Sequence, residues 1–224
     1  MSTFWILERT HKSEKVPFRT SENNPGCEVM ICAGCSQRVE RRPWTLGLHL
    51  RDEVFPLQDI DQASMHLLAS KRFQDLISAN LLVGIKFLEI IEYEVGIKGK
   101  KGKRFLKAVM GMGYKGIYAV GSGGSIAKTS GVFLRKKCEI CGFKEHSLAL
   151  NGIHIDETQW DGSDFFQIEE LPGPTFMSDR AKCILEGGGL SNFAPIRTED
   201  YKVPFREHLI KRYRDEEFGA FLQP

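Results

Sequence analysis

The sequence predicts an α+β fold of two similar halves, each a zinc knuckle followed by short antiparallel strands and a helix, with a further helix at the C-terminus. Three observations lead there. Strand-length runs rich in β-branched and aromatic residues alternate with short segments of helical period. Two Cys-x-x-Cys pairs, Cys32-Ala-Gly-Cys35 and Cys138-Glu-Ile-Cys141, stand far apart in the chain. The elements after each pair then follow one another in a similar order. A chain of 224 residues with 42% hydrophobic content can bury a full core. The expected division is residues 1–103, with the first knuckle, and 104–224, with the second knuckle and terminal helix, or one compact unit.

Phe4 to Glu8 reads as a first strand, and Asn23-Asn24-Pro25-Gly26 as a loop presenting the first cysteines. Ser70 suits the N-cap of a short helix whose Phe73, Leu76 and Ile77 share a face and whose end falls at Asn80. Ile85 to Val95 reads as a long strand, and the basic segment Lys98 to Arg104, interleaved with glycine, as a solvated turn between the halves. Lys115 to Val120 and Val132 to Arg135 read as strands around a Gly/Ser loop, and Leu171-Pro-Gly-Pro174 as a turn. Ser178 caps a second helix carrying Ala181, Ile184 and Leu185 on one face, and Gly187-Gly188-Gly189 stops it. Pro204 suits the first turn of a terminal helix in which Phe205, Leu209 and Tyr213 recur every four residues.

The spacing from Cys32 to Cys138 nearly equals that from Ser70 to Ser178. In the second register Arg72 meets Arg180, Leu76 meets Ile184, Ile77 meets Leu185, Leu82 meets Leu190, Tyr93 meets Tyr201 and Val95 meets Val203. An internal duplication accounts for this pattern. So does the ordinary likeness of two amphipathic helix-then-strand units.

Of the six cysteines, Cys32, Cys35, Cys138 and Cys141 form the two pairs. A Cys-x-x-Cys turn lets two thiolates bind one metal while backbone amides point at the sulfurs, and two such turns complete a tetrahedral four-cysteine site. Structural Zn2+ is therefore the expected cofactor. If the pairs do not meet, Cys27 would have to complete the first and His146 or His154 the second. Thiol pairs without metal, or a redox dithiol, are the alternatives, although neither pair sits clearly between a strand and a helix start. Cys183 reads as a core residue on the apolar side of its helix.

Several chemistries are excluded by their missing residues. Gly121-Ser-Gly-Gly124-Ser-Ile-Ala-Lys128-Thr129 is not a phosphate-binding loop, because Ala127 stands where glycine must precede the lysine; it reads as a flexible or partner-facing hairpin. No His-x-Glu with Pro-Cys-x-x-Cys, no His-Glu-x-x-His and no Gly-x-Ser-x-Gly occurs, and the six histidines are scattered, so no catalytic residue is assigned and an enzyme is not expected. Charged residues at 27% with a net charge of +2 argue against disorder and against a strong polyanion field. Met1 to Arg9 lacks the pattern of an export signal, and no apolar run nears the roughly 20 residues that span a bilayer. A cytoplasmic protein without membrane partners is the expectation.

The knuckle Cys138-Glu-Ile-Cys141-Gly142, then Ser147-Leu-Ala-Leu150, Asp164-Phe-Phe-Gln-Ile168 and Ser178-Asp-Arg-Ala181 with Gly189-Leu190, resembles a family of bacterial proteins with a double Cys-x-x-Cys-Gly motif. That family is expanded in myxobacteria and regarded as immunity proteins of polymorphic toxin systems. The likeness runs through most of the chain, with one departure at Ser36, where the family has glycine. It implies a non-catalytic inhibitor that binds a cognate protein toxin in the cytoplasm, with zinc stiffening the scaffold. The contact regions suggested are the Gly121 to Ser130 loop and the stretch Asp156 to Phe166, where Trp160, Phe165 and Phe166 serve either as anchors or as core. The competing reading is a zinc-ribbon nucleic-acid binder using Lys98 to Arg104 and Arg135-Lys-Lys137. The absence of interleaved aromatics makes nucleic acid the less expected partner.

Overall fold

Strands dominate the chain because its β-branched and aromatic runs are short and flanked by turn residues. The computed structural model describes residues 2–9, 18–20, 29–36, 38–40, 45–50, 56–63, 66–147, 149 and 152–201. The elements are β1 (Phe4–Ile6), β2 (Phe18–Thr20), β3 (Val29–Ile31), β4 (Arg38–Glu40), β5 (Thr45–Leu50), β6 (Ile60–Ala63), β7 (His66–Ala69), α1 (Lys71–Ala79) and β8 (Ile85–Val95). They continue as α2 (Gly99–Met112), β9 (Lys115–Ala119), β10 (Gly121–Ser122), β11 (Leu134–Lys137), β12 (Lys144–His146), β13 (Phe165–Ile168), β14 (Leu171–Ser178), α3 (Asp179–Gly187) and β15 (Ile196–Arg197). Strands and helices are thus both present, as expected. The terminal helix expected from Pro204, the loop at Asn23 to Gly26, and Cys27 lie outside the described residues.

Six strands close a barrel in the order β2-β5-β8-β9-β7-β6, and β2 and β6 seal it through Phe18 and Ala63. Phe18, Leu46, Leu48, Leu50, Leu68 and Leu88 fill it together with Phe105 and Val109 of α2. A five-stranded sheet, β10-β13-β14-β1-β15, stands beside it. A second core joins the two sheets. In it Phe73 and Ile77 of α1 and Ala181 and Leu185 of α3 pack with Ile60, Ile117, Phe165 and Met177. Each sheet takes a strand from across the 103–104 boundary, β9 into the barrel and β1 into the open sheet, and α2 runs through the boundary itself. Among the described residues, no helix is long and apolar enough to cross a membrane.

Ser70 and Ser178 cap α1 and α3 as their spacing predicts, accepting from Phe73 N and Ala181 N. Each serine hydroxyl also donates to a buried aspartate, Ser70 to Asp59 at 2.7 Å and Ser178 to Asp164 at 2.9 Å. Each aspartate binds an arginine in the first turn of the helix, Arg72 to Asp59 and Arg180 to Asp164. The arginines then reach across: Arg72 donates to the carbonyl of Gly188 after α3, and Arg180 to that of Asn80 after α1. The aspartates are completed the same way, by Ser191 N at 2.9 Å and Val83 N at 3.0 Å. Each helix end is therefore held by the other helix's cluster.

Two segments read as turns are regular structure. Lys98 to Arg104 opens α2, because Gly102, Phe105 and Val109 form a buried face that overrides the two glycines. Gly102 is needed there, since a Cβ would lie 2.1 Å from the carbonyl oxygen of Ile97. Leu171 to Pro174 belongs to β14. Its prolines fall where the β13–β14 register shifts, so their missing N–H groups cost no ladder bond.

Candidate metal centre

Two hairpins present the paired cysteines. β3 and β4 flank the turn Cys32 to Ser36, and β11 and β12 flank the turn Cys138 to Phe143. In each turn the residue after the second cysteine donates back to the carbonyl of the first, Ser36 N to Cys32 O at 2.8 Å and Gly142 N to Cys138 O at 2.9 Å. Closing the turn this way requires a left-handed residue, and both occupy that region, Ser36 at φ 56° and Gly142 at φ 73°. Ser36, the departure from the Cys-x-x-Cys-Gly pattern, thus keeps the turn geometry.

The turns face each other. Cys32 and Cys138, 106 residues apart, bring their sulfurs to 3.7 Å, and Cys35 and Cys141 do the same. All four sulfurs lie within 4.8 Å of one another, forming a group able to hold a metal ion. A tetrahedral ion with metal–sulfur bonds of about 2.3 Å has sulfur–sulfur edges of about 3.8 Å, which the two 3.7 Å approaches match. Gly34 lies directly against the facing turn, where an added Cβ would meet the exposed end of Ile140 at 2.8 Å and the Cys138 sulfur at 3.4 Å.

Backbone amides prepare the sulfurs for the thiolate state. The N–H groups of Cys141 and Ile140 bring Cys138 down to about 6, and those of Gly34 and Cys35 lower Cys32. At Cys141 the N–H of Phe143 pulls down, but burial and the neighbouring thiols prevail and push it up to about 12. Four thiolates together are unfavourable without a cation, and a metal ion removes that opposition.

Among the described residues the cluster contains no histidine. His146 lies on β12, and His154 engages Ser130 through its backbone N–H. The expected core residue Cys183 is instead exposed, its sulfur 3.9 Å from Asp179 Oδ2, because α3 buries Ala181 and Leu185 and turns position 183 outward.

The Gly121 to Ser130 loop is pinned rather than free. Gly121 and Ser122 pair in parallel with Phe166 and Gln167, and Ser122 N, Ser125 N and Ile126 N donate to Asp161, Gln159 and Glu170. Its glycines serve close approach to the open sheet, since a Cβ at Gly121 would lie 2.4 Å from Phe165 O. Phe165 and Phe166 are fully buried, and Trp160 packs edge-on against Phe4 at 5.1 Å. These aromatics are core. Asp59, and the role of Asp164, were not singled out from sequence. The two lie 11 and 14 residues before their capping serines, and unequal spacing hides the correspondence.

No protein-family model matches the chain, and no curated protein matches it.

Proposed function

We propose that the chain is a non-catalytic zinc-binding immunity protein, which binds a cognate bacterial toxin in the producing cell. The observation that carries the reading is the convergence of four thiols from two distant hairpins. Four protein ligands fill a tetrahedral zinc and leave no position for water or substrate, so the ion serves the scaffold. Zinc suits the donor set, being the common occupant of all-thiolate tetrahedral sites. The likeness to the double Cys-x-x-Cys-Gly proteins supplies the class of partner.

The scaffold is read as two related halves. Supporting this are the Asp59–Ser70–Arg72 and Asp164–Ser178–Arg180 clusters, which hold each other's helix ends, and the facing of Cys32 with Cys138 and Cys35 with Cys141. A rigid body of this kind can inhibit through surface complementarity alone.

The test is protection. Cells expressing the toxin encoded beside this gene are expected to survive only when this chain is co-expressed, and the purified proteins to co-elute. Survival without it, or no complex, would reject the reading. Nucleic-acid binding draws on the same cysteines and on exposed Lys136 and Lys137 beside the second knuckle. It predicts affinity for duplex DNA or RNA that falls steeply with salt.

A further inference from the structure

Helix α2 differs from α1 and α3 in how it carries charge. On α1, Lys71 pairs with Asp75, and on α3, Lys182 pairs with Glu186, each one turn apart and of opposite sign. Helix α2, Gly99–Met112, contains no acidic residue. Lys100, Lys103, Arg104 and Lys107 recur at three- and four-residue spacing, so they form one exposed stripe opposite the buried Gly102, Phe105 and Val109. Lys98 and Lys101 are exposed beside it.

That arrangement works against the isolated helix. Like charges at these spacings repel, and cations in the first turns oppose the helix dipole. Among the described residues, none of Lys98, Lys100, Lys101, Lys103 and Lys107 takes part in an ion pair. Solvated helix faces ordinarily mix signs, as α1 and α3 do. A stripe of one sign, fixed on a well-packed helix, is complementary to an anionic surface.

The width of the stripe says what kind. Helix α2 packs against β8, which carries Glu89, Glu92 and Glu94. Apart from Lys86 the charged residues of that strand are acidic, with Glu89 held by Lys115 and Glu94 by His49, so the positive field of the helix does not continue along β8. From Lys100 to Lys107 the stripe runs about 10 Å along the axis, which matches a compact acidic patch on a folded protein. Lysine supplies such a patch with steering and register rather than base readout.

We propose that the lysine stripe of α2 is the docking surface for an acidic patch on the protein partner. This rests on the toxin-binding reading and adds the face that makes contact.

The test compares the wild type with a charge-reversed variant, Lys100→Glu/Lys103→Glu/Lys107→Glu, and a charge-conserving one, Lys100→Arg/Lys103→Arg/Lys107→Arg. All three positions are exposed, and metal content together with far-ultraviolet circular dichroism verifies that each variant is folded. Binding of the toxin encoded by the adjacent gene is expected to weaken about a hundredfold in the charge-reversed variant and to persist in the charge-conserving one. Wild-type binding is expected to weaken by about tenfold or more between about 50 and 200 mM salt. A charge-reversed variant that binds and protects like the wild type overturns the stripe but leaves the immunity reading intact. A wild type that fails to protect removes that reading instead. The stripe is then judged with a labelled polyglutamate peptide and a DNA duplex: lysine-dependent binding of the peptide in preference to the duplex supports an acidic protein partner. Preference for the duplex, or no lysine-dependent binding, overturns it.

Discussion

Ser36 and Gly142 occupy the same place in facing turns, both at positive φ, yet only one of them is free of the steric cost of a Cβ there. Replacing Ser36 by glycine relieves that cost, while the added freedom of the unfolded chain offsets part of the gain. Ser36→Gly is expected to raise stability by about 0.5–1 kcal/mol in urea denaturation of the metal-loaded protein, a net of those two effects. An unchanged or lowered midpoint would mean that the serine makes a compensating bond. Two residues apart, Asp59 and Asp61 shift in opposite directions. Burial raises Asp59, but the Ser191 N–H, the Ser70 and Ser191 hydroxyls and the Arg72 charge together bring it below the usual aspartate value. At Asp61 burial prevails over the Gln62 N–H and the Arg9 charge, and the carboxyl is raised. The signs follow by linkage. Below the ordinary aspartate value the unfolded chain takes up the proton that folded Asp59 resists, so its contribution is full above that value and lost as pH falls through the depressed one. Asp61 works the other way, withdrawing stability as pH rises from the ordinary value through its raised one. Asp59→Asn is expected to cost about 3 kcal/mol at pH 7, because an amide nitrogen would face donors from Ser70, Ser191 or Arg72. It should also flatten the acid limb of the stability profile measured by denaturation.

Two glycines in α2 separate helix propensity from packing. Gly111 is exposed in the last turn, with open space where the methyl of an alanine would stand, so Gly111→Ala should stabilise by about 0.5 kcal/mol, part of the helix-interior gain. Gly102 faces the Ile97 carbonyl at a distance no Cβ tolerates, so Gly102→Ala should destabilise despite the same propensity. Thermal melts of the two variants check the pair, and equal shifts would mean that α2 does not sit against the Ile97 segment. This helix also shows where sequence reading reached its limit. Its glycines and lysines resemble a turn, and only the burial of Phe105 and Val109 in the barrel makes the segment helical. By contrast α1 and α3 were legible from their capping serines and apolar faces, and β8 from its run of β-branched and aromatic residues, because those signals are local. The prolines of β14 misled for the opposite reason: they sit in an irregular stretch of the ladder that no local pattern marks. The cysteine pairs were legible as candidate metal ligands by spacing. That they meet was not, since it depends on how two hairpins 106 residues apart are carried by the sheets between them.

At the scale of the whole molecule, an ion held by the four cysteines would tie two hairpins that stand apart from the apolar cores of the described residues. The barrel, the helix-lined core between the sheets and the cluster on the open sheet's other face, with Phe4, Ile153 and Phe176, are filled without them. If the cluster holds an ion, removing it should therefore loosen the hairpins and lower overall stability, yet leave the sheets and helices folded. This differs from small zinc domains, in which metal binding supplies nearly all the folding free energy. Strong chelation is expected to lower the melting temperature by several degrees, leave far-ultraviolet circular dichroism largely unchanged and open the knuckle turns to proteolysis. Since the ligands must be thiolates, retention of metal should fall as acid is added and protons compete with the ion for the sulfurs. The shared character of the centre makes the sharpest prediction. Protein purified without immobilised metal should carry one zinc per chain. Cys32→Ser/Cys35→Ser and Cys138→Ser/Cys141→Ser should each lose essentially all of it, because either pair alone offers two ligands to an ion that needs four. Two ions per chain, or half the metal surviving in either variant, would mean that each pair recruits its own partners and that the facing turns do not share an ion.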